Sequence, residues 1–453
     1  MEITFLGGVG TVTGSKYVLD IAGKRVLIDC GLFQGLKALR LRNWAPLPIK
    51  PASVDAVLLT HAHIDHSGYL PLFVKNGFVG PVFCTTGTAD LCEILLPDSA
   101  HLQMEEAEYA NRHGYSKHHP ALPLYTVADA ERALKQLRPV SYRHHVTLGE
   151  HMLAEFLPMG HIVGASAVRI QSRGKTITFS GDVGRMQDVM MKSPIALPET
   201  DFLVLESTYG DRLHAPDSPE IALQAIIHRT YERGGTVLIP AFAVGRAQLM
   251  LYYLSRLKAQ NALPPMPIYL DSPMAINSTL LLTEHGEDIR LTGKDCHALN
   301  TIAAFVRTPE ESRLLNTHPD QPKIIIAASG MMTGGRVLHH LKTYAPYPKN
   351  TLLFTGFQAE ETRGRRILRG EKTVRLLGES VAIRAEVASI SNLSAHADQG
   401  ELLSWLKQMK RAPERVFITH GEPNASLALK SVLETELGWQ CVIPRYQERL
   451  SLL

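Results

Sequence analysis

The sequence has few cysteines, and their spacing excludes two kinds of protein. Five cysteines are spread over 453 residues, and no C-x-x-C pair occurs among them. The disulfide framework of a small secreted domain and a thiolate zinc site both need closely spaced cysteines. We therefore expect a cytoplasmic protein, kept in a reducing environment, whose chemistry does not depend on thiols.

Other absences limit the location and the partners. No apolar run approaches the roughly 20 residues of a membrane-spanning helix, and the N-terminal sequence lacks the basic and apolar regions of a signal peptide. The formal net charge is only +3, so overall charge gives no argument for a nucleic-acid partner. A chain of this length is long for a single hydrophobic core, so we expect two domains or one elaborated domain, and no membrane contact.

Two patterns of secondary structure predict a host domain with an insert. Residues 1–208 contain short segments rich in Val, Ile and Leu, separated by Gly-rich turns. Between residues 209 and 378, strands alternate with helices, which is typical of a doubly wound α/β domain. Residues 379–453 return to the strand-rich pattern and are predicted to complete the host domain.

The first part of the predicted host domain also contains helices and a hairpin. Periodicity predicts helices over residues 88–111 and 127–138. Farther along, "SAVRIQSRGKTITFSGD" alternates between apolar and polar residues around Arg173 and Gly174. We expect these two residues to form the turn of a β-hairpin.

A histidine-rich segment follows a predicted buried strand. The strand is "VDAVLLT", and the segment "HAHIDH" directly after it supplies His61, His63, Asp65 and His66. Imidazole and carboxylate groups are common zinc ligands, and α/β sheets place ligand sites at the carboxyl ends of strands. A solvated loop or structural histidines are the alternative, but the H-x-H-x-D-H spacing favours a loop that serves two adjacent metals.

Three further residues at predicted strand ends complete a ligand set, namely His161, Asp182 and His420. Each alone is more often structural, but together they provide enough ligands for two zinc ions per chain. The predicted sets are His61, His63 and His161 for one ion and Asp65, His66 and His420 for the other, with Asp182 bridging both. A shared water would make such a site catalytic, because structural zinc sites are closed by protein ligands. Asp29 is expected to hold the ligand loop by accepting hydrogen bonds.

With these residues, three other segments resemble the β-CASP subfamily of nucleases within the metallo-β-lactamase superfamily. The segments are "LESTYGD" with Glu206, "SAHAD" with His396 and "THGE" with His420, which resemble the family's motifs A, B and C. The resemblance covers nearly the whole chain. Within the subfamily, the chain is similar to RNase J and to the homologues of the cleavage and polyadenylation nuclease. It implies an α/β fold, an αββα metallo-β-lactamase sandwich with an inserted doubly wound α/β β-CASP domain.

The resemblance also implies an activity. It implies a zinc-dependent ribonuclease that hydrolyses single-stranded RNA through a two-metal-activated hydroxide, in RNA processing or decay. His420 is typical of the RNA-directed members. Asp65 is implied to orient the hydroxide, His396 to act as general acid or charge stabiliser at the leaving oxygen, and Glu206 to hold the His396 ring. Endonuclease and 5′-exonuclease action both remain open, as does a homodimer.

RNA contacts are predicted in a Gly-rich segment and a basic segment. The segment "SGMMTGG" (329–335) follows a predicted strand and precedes a helix, so its backbone N–H groups can hold a phosphate, although a tight turn fits equally well. The candidates for contact with RNA phosphate are Ser329, Gly330, Ser394 and Arg336. Residues 336–375 are rich in Arg and Lys and can follow an RNA backbone or form a solvated helix face.

Three other functions remain as alternatives. A small-molecule hydrolase, such as a lactonase or thioesterase, has no need of the inserted domain. A catalytically silent RNA-binding member is expected to lose ligands, whereas every candidate ligand is present here. A DNA-directed nuclease of this family usually has valine in motif C, where this chain has His420.

Overall fold

The computed structural model describes residues 1–114, 116–356 and 358–452. The chain forms two compact units. The first contains Met1–Leu213, Glu287–Ile289 and the residues from His396 onward, and the second contains His214–Gly286 and Arg290–Ala395.

The strands follow the Val-, Ile- and Leu-rich segments of the sequence. They are β1 (Glu2–Phe5), β2 (Tyr17–Ile21), β3 (Lys24–Ile28), β4 (Ala56–Leu58), β5 (Val82–Thr85), β6 (Leu137–Val140), β7 (Val146–Gly149), β8 (Met152–Pro158), β9 (Ser166–Ser172), β10 (Lys175–Phe179), β11 (Phe202–Glu206), β12 (Val237–Pro240), β13 (Ile268–Asp271), β14 (Ala304–Phe305), β15 (Ile324–Ala327), β16 (Thr351–Phe354), β17 (Thr373–Leu376), β18 (Glu379–Ala382), β19 (Glu386–Ser389), β20 (Arg415–Thr419), β21 (Cys441–Val442) and β22 (Arg449–Ser451).

The helices mostly begin at a capping residue or at a proline in the first turn, both of which favour helix initiation. They are α1 (Lys37–Arg42), α2 (Ile64–Ser67), α3 (Leu70–Lys75), α4 (Thr86–His113), α5 (Val127–Leu134), α6 (Pro219–Glu232), α7 (Arg246–Ala259), α8 (Pro273–Glu284), α9 (Gly293–Thr301), α10 (Pro309–Thr317), α11 (Val337–Tyr344), α12 (Arg363–Leu368), α13 (Gln399–Leu406) and α14 (Pro423–Leu437).

The first unit contains two sheets of seven strands that pack face to face. Their strand orders are β22-β1-β2-β3-β4-β5-β6 and β21-β20-β11-β10-β9-β8-β7. Aromatic side chains from both sheets meet in the core between them: the rings of Phe5 and Phe417 lie 5.5 Å apart and those of Tyr17 and Phe179 lie 5.8 Å apart. Burying each such side chain contributes about 1.5–3 kcal/mol, so this core holds the sheets together.

Helices cover the outer faces of both sheets. Helices α13 and α14 place Trp405 and Leu429 in a second core with Leu205 and Ile418 of the second sheet. Helix α4 contacts β5 and β6 of the first sheet, and α3 packs on α5. The predicted αββα sandwich is thereby confirmed.

Strand direction brings the predicted ligands to one edge of each sheet. In the first sheet β3, β4 and β5 are parallel, so Asp29 and the histidine-rich segment emerge at the same edge. In the second sheet β10, β11 and β20 are parallel, and β8 has the same direction because β9 runs antiparallel to both β8 and β10. His161, Asp182 and His420 therefore emerge together as well.

The second unit is built on a six-stranded sheet with the order β14-β13-β15-β12-β16-β19. All the neighbouring strands of this sheet pair in parallel. Helices α11 and α12 bury Leu341 and Ile367 in a core with Leu238 and Ile325 of the sheet. This is the inserted α/β domain that alternating strands and helices predict.

Two local features differ from the sequence-based expectation. Strand β19 pairs with β16 in the sheet of the second unit, whereas the pattern assigned residues 379–453 to the host domain. Helix α5 ends at Leu134, and residues 137–138, predicted as helix, begin β6, which pairs with β5. Pro139 is tolerated there because β6 is an edge strand, where a missing N–H costs little.

The β-hairpin predicted at Arg173 and Gly174 is confirmed. The hairpin β9–β10 turns at Arg173 and Gly174, which have φ of 49° and 77°, as a two-residue turn of this kind requires. All five cysteines are free, and four of them are buried. Among the helices of the described residues, none combines the length and apolar character needed to cross a membrane.

Candidate metal centre

A buried aspartate holds the loop between β4 and α2, residues Thr60–His66, which we call the ligand loop. Asp29, just after β3, accepts hydrogen bonds from the Thr60 backbone N–H at 2.8 Å and from its hydroxyl at 2.9 Å. His66 donates from Nδ1 to Asp29 at 2.8 Å, since a carboxylate can only accept. This bond fixes the His66 tautomer and leaves Nε2 as the lone-pair donor toward a metal.

The first group of potential ligand atoms comes from the ligand loop and from the ends of β8 and β10. It contains His61, His63, His161 and Asp182. Nδ1 of His63 lies 3.1 Å from Nε2 of His61 and 3.2 Å from Nε2 of His161. Burial lowers the pKa of His61 to about 3 and that of His63 to about 4. These imidazoles are therefore neutral, which is the form that binds metals.

The second group combines the ligand loop with the end of β20. It contains Asp65, His66 and His420. Nε2 of His420 lies 3.1 Å from Nε2 of His66 and 3.4 Å from Oδ2 of Asp65. The other ring nitrogen of His420 lies 3.0 Å from the Thr208 hydroxyl, so a neutral side chain orients this ring. The atoms of this group that face one another are Nε2 of His66, Nε2 of His420 and Oδ2 of Asp65, and each can donate a lone pair to a metal.

Asp182 lies between the two groups and presents one oxygen to each. Oδ2 lies 3.4 Å from His61 Nε2 and 3.5 Å from His161 Nε2, while Oδ1 lies 3.3 Å from His66 Nε2. Burial opposes ionisation of this carboxyl group, but the facing histidines hold its pKa well below its usual range. Oδ1 is buried without a hydrogen-bond partner among the described residues, which is costly unless a cation compensates it.

These residues fit zinc better than other common metals. Imidazole and carboxylate together are borderline-to-hard ligands, whereas calcium and magnesium prefer oxygen alone and copper(I) prefers sulfur. The two donor groups with Asp182 between them have the composition of a dinuclear hydrolytic site.

His396 stands beside this cluster and is oriented by Glu206. Its Nδ1 lies 3.2 Å from Oε1 of Glu206, and its backbone forms a β-bridge with Gly184. Burial lowers the pKa of His396, but the Glu206 carboxylate outweighs burial and raises it above its ordinary value. The His396 side chain is 19% exposed, whereas the histidines of the two donor groups that bear on Asp182 are at most 4% exposed. Its ring is thus accessible in a way that theirs are not.

The structure brings all the predicted metal ligands and both predicted proton-handling residues together. Sequence analysis missed the two threonines that orient ligands, Thr60 and Thr208. Thr60 directly precedes His61 and Thr208 follows Glu206 by two residues, so a search for hydroxyl groups beside the predicted ligands would have found them. The assembled residues are His61, His63, Asp65, His66, His161, Asp182, Glu206, His396 and His420.

The predicted phosphate-binding segment has the contacts of a tight turn. The Ser329 hydroxyl accepts hydrogen bonds from the N–H groups of Thr333 at 3.0 Å and Gly334 at 3.3 Å. A Cβ on Gly330 would come within 2.8 Å of the ring and backbone of Phe242, so glycine is needed there for packing. These contacts favour the structural interpretation of the segment.

The predicted basic contacts are similarly engaged within the second unit. Arg336 donates to Asp271 at 2.7 Å and to the Arg307 carbonyl at 2.8 Å, and Ser394 is buried. Most other bases of residues 336–375 pair with nearby acids. The pairs are Lys342–Glu379, Lys349–Asp320, Arg365–Glu360, Arg369–Glu360 and Arg366–Glu371. This arrangement favours the solvated, ion-paired face.

Replacing Asp29 by asparagine is expected to weaken metal binding about 10- to 100-fold, as loss of a group that orients a ligand usually does. Asparagine tolerates the positive φ of 56° at this position, so the backbone is not strained. Its amide N–H₂ would face His66 Nδ1 and favour the tautomer that protonates Nε2. Competition with a chelator dye measures the affinity. An unchanged affinity, with an unchanged melting temperature, would show that Asp29 does not orient His66.

Three family models match successive parts of the chain. The model described as the metallo-beta-lactamase superfamily matches residues 9–226, and the Beta-Casp domain model matches residues 247–367. A third, described as a Zn-dependent metallo-hydrolase RNA specificity domain, matches residues 380–444. These matches, together with the two donor groups, support the use of a metal ion by this chain.

Curated relatives match over nearly the full chain. Ribonuclease TTHA0252 of Thermus thermophilus is 39% identical over 99% of both chains. Transcription termination factor FttA of Methanosarcina mazei is 32% identical over 96% of this chain and 69% of its own length. An RNase J-like protein of Methanocaldococcus jannaschii is 29% identical over 98% of this chain and 97% of its own. A crystal structure of an Enterococcus faecalis protein of unknown function shares the fold, with a TM-score of 0.52, 14% identity and coverage of 100% and 99% of the two chains.

Proposed function

Since this chain belongs to the β-CASP ribonucleases of the metallo-β-lactamase superfamily, we propose that it hydrolyses phosphodiester bonds of single-stranded RNA with two zinc ions. One ion would be held by His61, His63 and His161 and the other by Asp65, His66 and His420, with Asp182 shared between them. We further propose that the protein acts in the cytoplasm, in RNA processing or decay, which the free and buried cysteines support.

The observation that carries this proposal is the position of Asp182. Its two oxygens face two separate donor groups at 3.3–3.5 Å. Oδ1 is buried and accepts no hydrogen bond from any residue that the structure describes. Bound zinc ions supply Lewis-acid stabilisation of the phosphoryl charge and lower the pKa of water at the site. A single structural ion has no use for two donor groups that share one carboxylate.

The protein's own residues then manage the proton and the leaving group. Asp65, 20% exposed at its side chain, accepts a hydrogen bond from the attacking water and directs its lone pair at phosphorus. His396 is held by Glu206 through Nδ1, so its Nε2–H can be donated to the leaving 3′-oxygen. General acid catalysis of this kind contributes about 10²–10⁴ in rate. Because water rather than the 2′-hydroxyl attacks, the products carry 5′-phosphate and 3′-hydroxyl ends.

The alternative of a lactonase or thioesterase uses a similar metal pair but leaves His396 and Glu206 without a task. A thiolate leaves more readily than the 3′-alkoxide of RNA, so a thioester gains less from a positioned proton donor. The silent RNA-binding alternative is disfavoured because every donor of both groups is present and assembled.

The purified protein is expected to cleave unstructured RNA to fragments with 5′-phosphates, and a chelator is expected to stop the reaction. End-labelled and circular RNA, digested side by side, separate exonuclease from endonuclease action. Single-stranded DNA of the same sequence and a panel of lactones and thioesters serve as competing substrates. Chelator-sensitive turnover of a thioester or lactone without any RNA cleavage would contradict the proposal.

A further inference from the structure

A surface segment of the first unit has a charge pattern that the metal centre does not explain. Residues 36–50, which we call the basic lobe, run through α1 between β3 and β4. The chain from residue 30 to 54 contains four basic residues and no Asp or Glu. The basic residues are Lys37, Arg40, Arg42 and Lys50. A local net charge of this size stands out in a protein whose overall formal charge is +3.

The basic lobe exposes large apolar side chains next to these charges. Trp44 is 58% exposed, Leu41 is 55% exposed and Leu36 is 37% exposed. The backbone beside Trp44 is anchored by its neighbour Asn43. The Asn43 side chain accepts a hydrogen bond from the Phe33 N–H at 2.9 Å and donates one to the Phe33 carbonyl at 2.8 Å. Trp44 is therefore held at the surface by its neighbour.

The charges of the basic lobe are not neutralised within the protein. Among the described residues, no carboxylate lies within ion-pair distance of Lys37, Arg40, Arg42 or Lys50. The Arg42 guanidinium lies 4.0 Å from the Tyr446 ring centre, a cation–π contact that leaves its positive charge unneutralised. In residues 336–375, by contrast, most bases pair with acids. The basic lobe is therefore a cationic surface that keeps its charge available.

The basic lobe starts beside the ligand loop. Backbone hydrogen bonds run from the Cys30 N–H to the His66 carbonyl at 2.6 Å and from the Leu32 N–H to the Ile64 carbonyl at 2.9 Å. Residue 36 follows four residues later. The basic lobe thus emerges from the carboxyl edge of the first sheet, which is the edge that carries the candidate metal ligands. An RNA strand bound at the metal centre would therefore extend past the basic lobe.

We propose that the basic lobe binds single-stranded RNA next to the metal centre, with Trp44 stacked on a base and Lys37 and Arg40 on phosphates. Exposed aromatic rings among unpaired cations are the usual means of holding single strands, and stacking requires an unpaired base. A membrane surface fits less well, because α1 has only six residues and cannot present the long apolar face of an interfacial helix. This inference rests on the proposed RNA substrate.

The test is the binding of a fluorescently labelled, unstructured RNA to the zinc-loaded His396→Ala protein, in which slow cleavage preserves the probe. Trp44→Ala in this background is expected to weaken binding about tenfold, as loss of one base stack does, and Trp44→Phe is expected to restore most of it. The double change Lys37→Gln/Arg40→Gln is expected to reduce the slope of log affinity against log salt by about 1.4, or about 0.7 for each lost phosphate contact.

Matched controls come from the opposite edge of the two sheets. Val79, 84% exposed, precedes β5, which is parallel to β4, and Arg173 lies in the turn before β10. Both residues therefore lie at the edge of their sheet opposite to the edge that carries the site. Val79→Ala and Arg173→Gln are expected to leave RNA affinity unchanged. Zinc content and melting temperature of all variants are expected to match the parent protein.

Three results would overturn the inference. One is unchanged RNA affinity in Trp44→Ala together with an unchanged salt slope in the double variant. Another is an equal loss in the two control variants. The third is unchanged RNA affinity in Trp44→Ala accompanied by altered self-association or altered binding to vesicles of anionic phospholipid, which would identify a different partner. Because binding is measured without turnover, absence of RNA cleavage by the wild type would count against the proposed function and not against the lobe.

Discussion

Asp182→Ala should lose both zinc ions and at least about 10³-fold of its RNA hydrolysis rate, since metal ions at such sites supply several kcal/mol of transition-state stabilisation. The expectation follows from the two oxygens of Asp182, one facing His61 and His161 and the other facing His66. Removing a residue that binds only one ion should cost one equivalent of bound zinc, whereas removing the Asp182 carboxylate should weaken the binding of both ions.

Elemental analysis and single-turnover RNA cleavage on the same preparation measure this effect. The matched control is Glu150→Ala, because Glu150 is an acid of the first unit that is 90% exposed at its side chain. Circular dichroism establishes that the variant folds. Two zinc equivalents retained in folded Asp182→Ala would show that the carboxylate does not join the two sites.

His396→Ala should reduce RNA cleavage about 10²- to 10⁴-fold, the usual contribution of a general acid, with two zinc ions still bound. The reason is that His396 makes its hydrogen bond to Glu206, and its Nδ1 lies 4.0 Å from the nearest Asp182 oxygen. A residue that only donates a proton or stabilises charge leaves metal affinity nearly unaffected.

The matched comparison is His66→Ala, which should lose zinc as well as activity because His66 faces Asp182, His420 and Asp29. Zinc content and single-turnover rate, measured on both variants, separate the two roles. Asp182, Glu206 and His396 each offer one ligand atom, and these three atoms also lie close enough together to hold a metal ion. Loss of one zinc equivalent in His396→Ala would therefore assign His396 as a ligand.

The site was largely predictable because its residues sit at strand ends. Local sequence identifies a buried strand and the polar residue that follows it, and the parallel direction of β10, β11 and β20 then brings Asp182, Glu206 and His420 to one edge. The pairing of His396 with Glu206 came from family resemblance. It could not come from spacing, because 190 residues separate the two in the chain.

The remaining features depend on long-range contacts that local sequence does not encode. Strand β19 has an ordinary strand sequence, and only its backbone pairing with β16 places it in the second unit. Arg336 has the sequence context of a phosphate ligand, yet its guanidinium is engaged by Asp271, 65 residues away. Charge counting along a segment likewise does not show whether acids elsewhere neutralise it.

Titration of metal-free protein with zinc, with hydrolysis of single-stranded RNA as the readout, tests the central claim most directly. The two donor groups joined by Asp182 predict that 5′-phosphorylated products appear only as zinc is added. The rate should rise to a plateau at two equivalents per chain, in keeping with a two-metal site. RNA hydrolysis at full rate in the metal-free protein, or zinc-dependent activity confined to small esters, would contradict the account.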